Sequence, residues 1–513
     1  MGWDVAHRRR LLAAGLGVLV LAGLGLWLLG VPTFRRSDWV EDEAQLRAHL
    51  SKAYANLDWA LEEKRLDVAA LHQRTLEALQ RSRSNAEAQA ALAALLGAFH
   101  DGHLQFEGPR PASGWLRALR ERLLGRGGTD PGVGPFAASA SAEEVCRGLG
   151  FVDVPKSSSV DWSLQGAVAE APGGSSAFPA ALLPGTPPIA LLRIPDFRET
   201  AYPAACRAAW PAFAKQLKGP CDERCQETFA SHEVGEALLA ELTERLKRWQ
   251  AEGITHLVVD VTANGGGNDW AGPAARLFSQ KTLECPHLGF VRHPHWATAL
   301  RHDEAEVHKD AERSELLPPA DRALLTEAKG RLAALVEEAE KPCRLDEAWT
   351  VPGFRPQCHL VVREGLYSCG LYAFLPAGSL KGVASADVLY DGLSWRAAPG
   401  VWSGYVAVLV DSGTASASEE FASMLQTGGA AVLVGARTLG AGCGHTNGGI
   451  RLELKHSGLV LKAPDCVRYR KDGANEVEGI PPDLAVPWSK GDSPQLRGQK
   501  ALAILRSWAA ASP

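Results

Sequence analysis

Residues 405–426 read YVAVLVDSGTASASEEFASMLQ. An uncharged apolar run ends at Asp411, a turn of small residues follows, and a helix carries Phe421, Met424 and Leu425 on its apolar face. A short apolar run bounded by turn residues reads as a strand buried on both faces. Ser416 falls where the helix starts. A hydroxyl nucleophile suits that place: the strand end is fixed, small neighbours admit substrate, and a helix N-terminus favours developing negative charge. The backbone N–H of Ala417 is a candidate oxyanion donor. Taken alone, the same residues also describe an ordinary Ser/Thr-rich N-cap.

The same rhythm extends outward. PIALLRI (188–194) and THLVVDV (255–261) read as strands, and residues 233–250 as an amphipathic helix between them. NGGG (264–267) is a tight turn before a helix beginning at AGPAARLF (271–278), and AAVLVG (430–435) is a further strand. IRLELK and LVLKA within 450–463 read as a hairpin. Strands alternating with helices specify an α/β protein with a covered, largely parallel sheet. The glycine turn is no dinucleotide fingerprint, because Trp270 stands where its third glycine belongs. Charged, helical residues 302–342 interrupt this core at 188–490 and are expected on its outside, near the cleft. Before it, Leu46, Leu50, Tyr54, Leu57 and Leu61 share a helical face in a helical subdomain over 37–105 that closes with HDGH. Residues 106–187 form a loop-rich link, and 491–513 a C-terminal helix.

Composition and the N-terminus bound the function. The chain has 513 residues, a 46% hydrophobic content and a net charge of −5 with no basic block, so nucleic acid is excluded as a partner class. Residues 11–31 are 21 residues without a charge. At 1.5 Å per residue they span roughly 30 Å, the thickness of a bilayer core. Arg8, Arg9 and Arg10 precede the run, and no small-x-small cleavage site follows it. Residues 1–36 are therefore expected to be a cytoplasmic stub and single transmembrane anchor in the inner membrane, with the rest on the periplasmic side. A cleaved signal followed by secretion is the alternative, and a buried core helix the third reading. Ten cysteines, an even number, fit disulfides in an oxidising compartment. Cys443 and Cys466 flank the hairpin and are the expected pair. No metal or cofactor is expected: HEVGE (232–236) lacks the second histidine of a zincin, and CDERC (221–225) has no matching second pair.

Four segments together resemble the tail-specific (C-terminal-processing) and tricorn-core family of serine peptidases. They are VVDVTANGGG (258–267), VAVLVDSGTASASEEFAS (406–423), AVLVGARTLGAG (431–442) and EVEGIPPDLAV (476–486), in the family's order and spacing. LLGAFHDGH (95–103) is similar to the helical segment of the tricorn-like branch. The resemblance implies a crotonase/ClpP-like α/β core and a nucleophile on the middle serine of TASASE. That serine is Ser416, and Ser418 and Thr414 are the neighbouring hydroxyls to be told apart from it. The tail-specific branch takes its base from a lysine in a GKG-type turn, but here the turn is Gly440-Ala441-Gly442. The tricorn-like branch implies His103 as the base and Glu476 as its orienting carboxylate. His445, beside the vacant lysine position, is the rival base, and Glu478 the rival carboxylate. Gly266 is the expected second oxyanion donor, with Gly265 and Gly267 as substitutes. The implied function is an exported, membrane-anchored serine peptidase cleaving polypeptide. Two other readings stand beside it: a catalytically inactive ligand- or peptide-binding protein on the same fold, and an enzyme acting on acyl thioesters.

Overall fold

The computed structural model describes residues 34–107, 134–154, 158–169 and 177–512. The apolar run 11–31 lies outside the described residues. Among the described residues, no helix is long and apolar enough to cross a membrane.

Helices α1 (Arg36–Ala53), α2 (Leu57–Glu62), α3 (Val68–Arg81) and α4 (Asn85–Gly97) come first. The α/β part contains strands β1 (Val168–Ala169), β2 (Ala180–Leu183), β3 (Ile189–Arg193) and β4 (His256–Asp260). It continues with β5 (His287–Val291), β6 (Val361–Tyr367), β7 (Tyr405–Val410) and β8 (Val432–Gly435). The last strands are β9 (Ile450–Glu453), β10 (Val460–Ala463), β11 (Cys466–Tyr469) and β12 (Leu484–Ala485). The main sheet runs β1-β2-β3-β4-β7-β8-β12. β3 through β12 pair in parallel, and β1, β2 and β3 are antiparallel. A second sheet, β11-β5-β6, is antiparallel, and β9 and β10 form the hairpin.

Alternation along the central strands explains the layers. Leu257 and Val259 of β4, with Val406, Val408 and Val410 of β7, enter a large core on one face. Val258, Ala407 and Leu409 point the other way, against Leu505 and Trp508 of the C-terminal helix Pro494–Ala511. Strand residues of period two that are apolar on both sides need a cover on both faces, and this sheet has one.

The 302–342 stretch departs from expectation. It belongs to two longer helices, Pro294–Glu312 and Pro319–Glu340, packed against each other. Leu325, Ala328, Leu332, Leu335, Val336 and Ala339 are buried in the main core. The segment is therefore part of the folded body rather than an outer lid; its charged face hid a regular apolar stripe. The N-terminal helices join the same core through Leu46, Leu50 and Leu92. Ala55 N–H donates to Pro464 O at 2.9 Å, and Val361 N–H to Asp58 Oδ2 at 3.1 Å. Burial pushes the Asp58 carboxyl up to about 6.

All ten cysteines are paired: 146–206, 221–225, 285–369, 343–358 and 443–466. The expected Cys443–Cys466 bridge is present, with Cα atoms 5.6 Å apart. It ties β11 to the turn after Gly442.

Candidate active site

β4 and β7 are neighbours in the parallel sheet, so the loops leaving their carboxyl ends meet. Ligands of open α/β sheets bind at such an edge. Asp411, at the end of β7, is the bolt: its Oδ1 accepts from Ala263 N–H (2.9 Å) and Gly413 N–H (3.0 Å), and its Oδ2 from Arg497 (2.9 Å). Thr414 Oγ1 donates to Val261 O at 2.9 Å, and Ala415 N–H to Asn264 O at 3.0 Å. Held from both sides, Ser416 adopts φ 55° and ψ −119°. A non-glycine residue there is strained by about 1–3 kcal/mol, a cost tolerated only where the surroundings fix the backbone. The result is a serine lifted out of the turn, half-buried, directly before the helix Ala417–Thr427.

The glycine loop lies against this serine. A Cβ on Gly266 (φ +97°) would fall 2.7 Å from Ser416 Cβ and 2.9 Å from the Ala417 nitrogen, so only glycine fits. Gly266 N–H, however, donates to Asn264 Oδ1 at 2.9 Å and is already used. Among the described residues, the N–H groups of Ala417, Gly265 and Gly267 have no acceptor. Where a second donor was expected at Gly266, the open N–H groups are those of its two neighbours, and Gly266 permits the close approach.

His103 reaches the site from the helical end. Asp101 Oδ1 accepts its backbone N–H at 2.9 Å, while Asp101 Oδ2 accepts from Tyr54 and Asn56. His103 Nδ1 lies 2.6 Å from Ala441 O. A carbonyl only accepts, so Nδ1 carries the proton and Nε2 presents its lone pair. Burial holds the imidazole below its ordinary value; the Ala441 carbonyl opposes this and the Arg468 cation adds to it. The neutral, proton-accepting form therefore prevails at neutral pH.

Glu419 links Ser416 to the turn that holds His103. It is fully buried. Its Oε1 accepts from Thr438 Oγ1 (2.5 Å) and Gly440 N–H (2.8 Å). Its Oε2 accepts from the N–H groups of Ser416 (2.9 Å), Ala441 (3.0 Å) and Gly442 (3.3 Å). One carboxylate thus holds the serine and the turn whose carbonyl orients the histidine.

The remaining candidates separate. His445 packs its ring edge-on against His103, with centroids 5.2 Å apart, but its Nε2 is spent on Lys462 O at 3.0 Å. Glu476 is buried, yet no hydrogen bond joins it to His103. Its Oε2 accepts from Arg468 Nε at 2.7 Å, and Arg468 stands where direct contact was expected. Glu478 faces outward and pairs with Lys64. Sequence reasoning passed over Asp101, Glu419 and Arg468. Only Glu419 left a signal, as the fourth member of an S-x-x-E capping box begun by Ser416. No three metal-binding side chains converge among the described residues.

Gly444 closes the pocket behind the imidazole. A Cβ there would fall 2.5 Å from His103 Nδ1 and Cε1. Gly444→Ala should therefore displace the ring and lower kcat about 100-fold with the fold retained. Steady-state hydrolysis alongside circular dichroism checks this, and an unchanged kcat would refute it.

Residues 373–486 match the model of peptidase family S41. Over that stretch the chain resembles the family. It is a serine peptidase, and the matched stretch contains Ser416, Ala417, His445 and Glu476, while His103 and the 264–267 loop lie before it. Mature CPAF complexed with lactacystin is similar in fold at 12% identity, with 93% of this chain and 98% of that one covered and a TM-score of 0.53. Mature CPAF alone gives 12% identity, 92% and 96% coverage, and a TM-score of 0.51. The photosystem II D1 C-terminal processing protease aligns at 12% identity over 92% of this chain and 97% of its own, with a TM-score of 0.30. No curated protein matches this chain significantly in sequence.

Proposed function

We propose that this chain cleaves polypeptide through an acyl-enzyme on Ser416, with His103 as general base and acid. The observation that carries the reading is one buried carboxylate, Glu419, that holds both the strained Ser416 and the turn whose Ala441 carbonyl takes the Nδ1 proton of His103. Ser416 Oγ attacks the scissile carbonyl carbon while its proton passes to His103 Nε2. The oxyanion lies on Ala417 N–H and on Gly265 or Gly267 N–H. His103 returns the proton to the leaving amine as the C–N bond breaks, and water then releases the acyl group by the reverse sequence.

Ala441 gives the missing lysine a chemical account. The turn that would offer a lysine base instead offers a carbonyl, which fixes the tautomer of a histidine base. The usual carboxylate partner is absent from this contact, so Glu476 supports the site through Arg468. This reading belongs to the histidine-using, tricorn-like branch, on a crotonase/ClpP-like core.

The five disulfides favour an oxidising compartment. With the uncharged run 11–31, they support a peptidase domain on the extracytoplasmic side of the inner membrane, tethered by one helix. The test is labelling by a fluorophosphonate probe alongside peptide hydrolysis. Wild type should react on Ser416, and Ser416→Ala should do neither. Labelling that persists in Ser416→Ala overturns the nucleophile, and a wild type inert to probe and peptides overturns the peptidase reading.

A further inference from the structure

We propose that Arg468 is a positioning residue for the reaction, setting the spacing between the nucleophile and the group that orients the base. The proposal rests on Ser416 and His103 being nucleophile and base. Arg468 lies on β11 and is 4% exposed. Its Nη2 donates to two backbone carbonyls at once: Ser416 O at 2.8 Å and Gly442 O at 2.9 Å. Gly442 directly follows Ala441, whose carbonyl holds His103 Nδ1. One guanidinium nitrogen thus spans from the peptide carrying the nucleophile to the turn carrying the base's orienting group.

The rest of the side chain is fixed in turn. Nε donates to Glu476 Oε2 at 2.7 Å, and Nη1 to Glu420 Oε2 at 3.3 Å. Burial works against the cation, but Glu476, Glu420 and Glu419 outweigh it and keep Arg468 charged. A buried cation is stable only when compensated in this way. The Cys443–Cys466 bridge anchors the same strand two residues before Arg468 to the residue after Gly442. A planar fork with fixed donor directions can hold two carbonyls and two carboxylates, whereas lysine presents one rotatable ammonium. Glu476, buried and bound to Arg468 but without a hydrogen bond to His103, thereby gains a purpose: it aims Arg468.

Charge adds a second readout. His103 is faced by the Arg468 cation from β11, by the His445 ring from the loop before β9, and by Asp101 from its own turn. Asp465 and Asp101 act on His445. Only Arg468 among these is a permanent cation, and it disfavours imidazolium.

The experiment compares Arg468→Lys and Arg468→Met with wild type in the full chain. Active sites are titrated with a fluorophosphonate, and kcat, KM and the pH profile are measured per titrated site. Arg468→Lys should lower kcat about 100-fold with KM within about threefold, and leave the acid limb where it was. Arg468→Met should lower kcat at least as far and move the acid limb to higher pH, because the cation near His103 is gone. Should Arg468→Met fail to fold, Arg468→Lys decides alone. Arg468→Lys with kcat per titrated site within about threefold of wild type overturns the proposal, and so does a loss confined to the titratable fraction, which marks a purely structural role. A wild type that neither labels nor hydrolyses removes the nucleophile assignment instead, and the proposal falls with it.

Discussion

Replacing His103 with alanine should lower kcat/KM by about 10³-fold or more, while His445→Ala stays within about tenfold of wild type. The difference follows from what each ring does with its protons. His103 commits Nδ1 to Ala441 O and leaves Nε2 without a partner among the described residues, whereas His445 gives Nε2 to Lys462 O. Combining His103→Ala with Ser416→Ala should cost little more than either alone, because neither partner of such a unit works without the other. The pH profile supplies an independent check. A base must be neutral to accept a proton, so activity rises as pH rises through its pKa. Burial, with Arg468 adding, holds His103 below the ordinary imidazole value of about 6.5. The acid limb of kcat/KM should therefore lie below that value, with activity persisting into mildly acidic solution. Collapse of activity in His445→Ala with survival of His103→Ala would reassign the base.

Glu419→Ala should be the most damaging single change to stability around the site, costing about 4 kcal/mol or more. Five donors converge on its carboxylate: Ser416, Gly440, Ala441 and Gly442 through backbone N–H groups, and Thr438 through its hydroxyl. The site is buried, and each donor left unsatisfied costs about 1–3 kcal/mol, partly relieved by any water that fills the space. Tm should fall by about 4 °C or more, because a chain of this length unfolds with an entropy of about 1 kcal/mol/K. Whatever protein remains folded should turn over poorly, because the serine and the 438–442 turn lose their common anchor. Glu419→Gln should be little better, since its amide N–H groups would face donors. Thermal melts with active-site titration decide this. A Tm within about 2 °C of wild type for Glu419→Ala would show that these hydrogen bonds do not hold the site together.

The difference between what the sequence displayed and what it concealed is physical. The central strands were legible because burial on both faces demands continuous apolar runs such as 256–260 and 405–410. Ser416 was legible because a strand, a small-residue turn and a helix start are all local features. His103 was visible only through resemblance: its partner, Ala441, is distant in sequence, and no local pattern announces such a contact. The task of Glu476 was hidden for the same reason, since a buried arginine from β11 intervenes. The direction of the Gly266 N–H was hidden because it depends on the Asn264 side chain two residues away. The helices around 302–342 were misplaced because their abundant charges drew attention from the stripe at 325, 328, 332, 335 and 339, which repeats with helical spacing.

The order in which the chain emerges from the ribosome gives the split origin of the site a further meaning. His103 is among the early residues, whereas Ser416, the turn from Thr438 to Gly442, and Arg468 are made late. An unfinished chain therefore carries a histidine with nothing to activate, and then a serine whose histidine has no carbonyl to hold it in register. On the proposed assignment, the contacts that hold Ser416 and His103 in register are complete only once the chain has been made past Arg468, so the two are brought together late in synthesis.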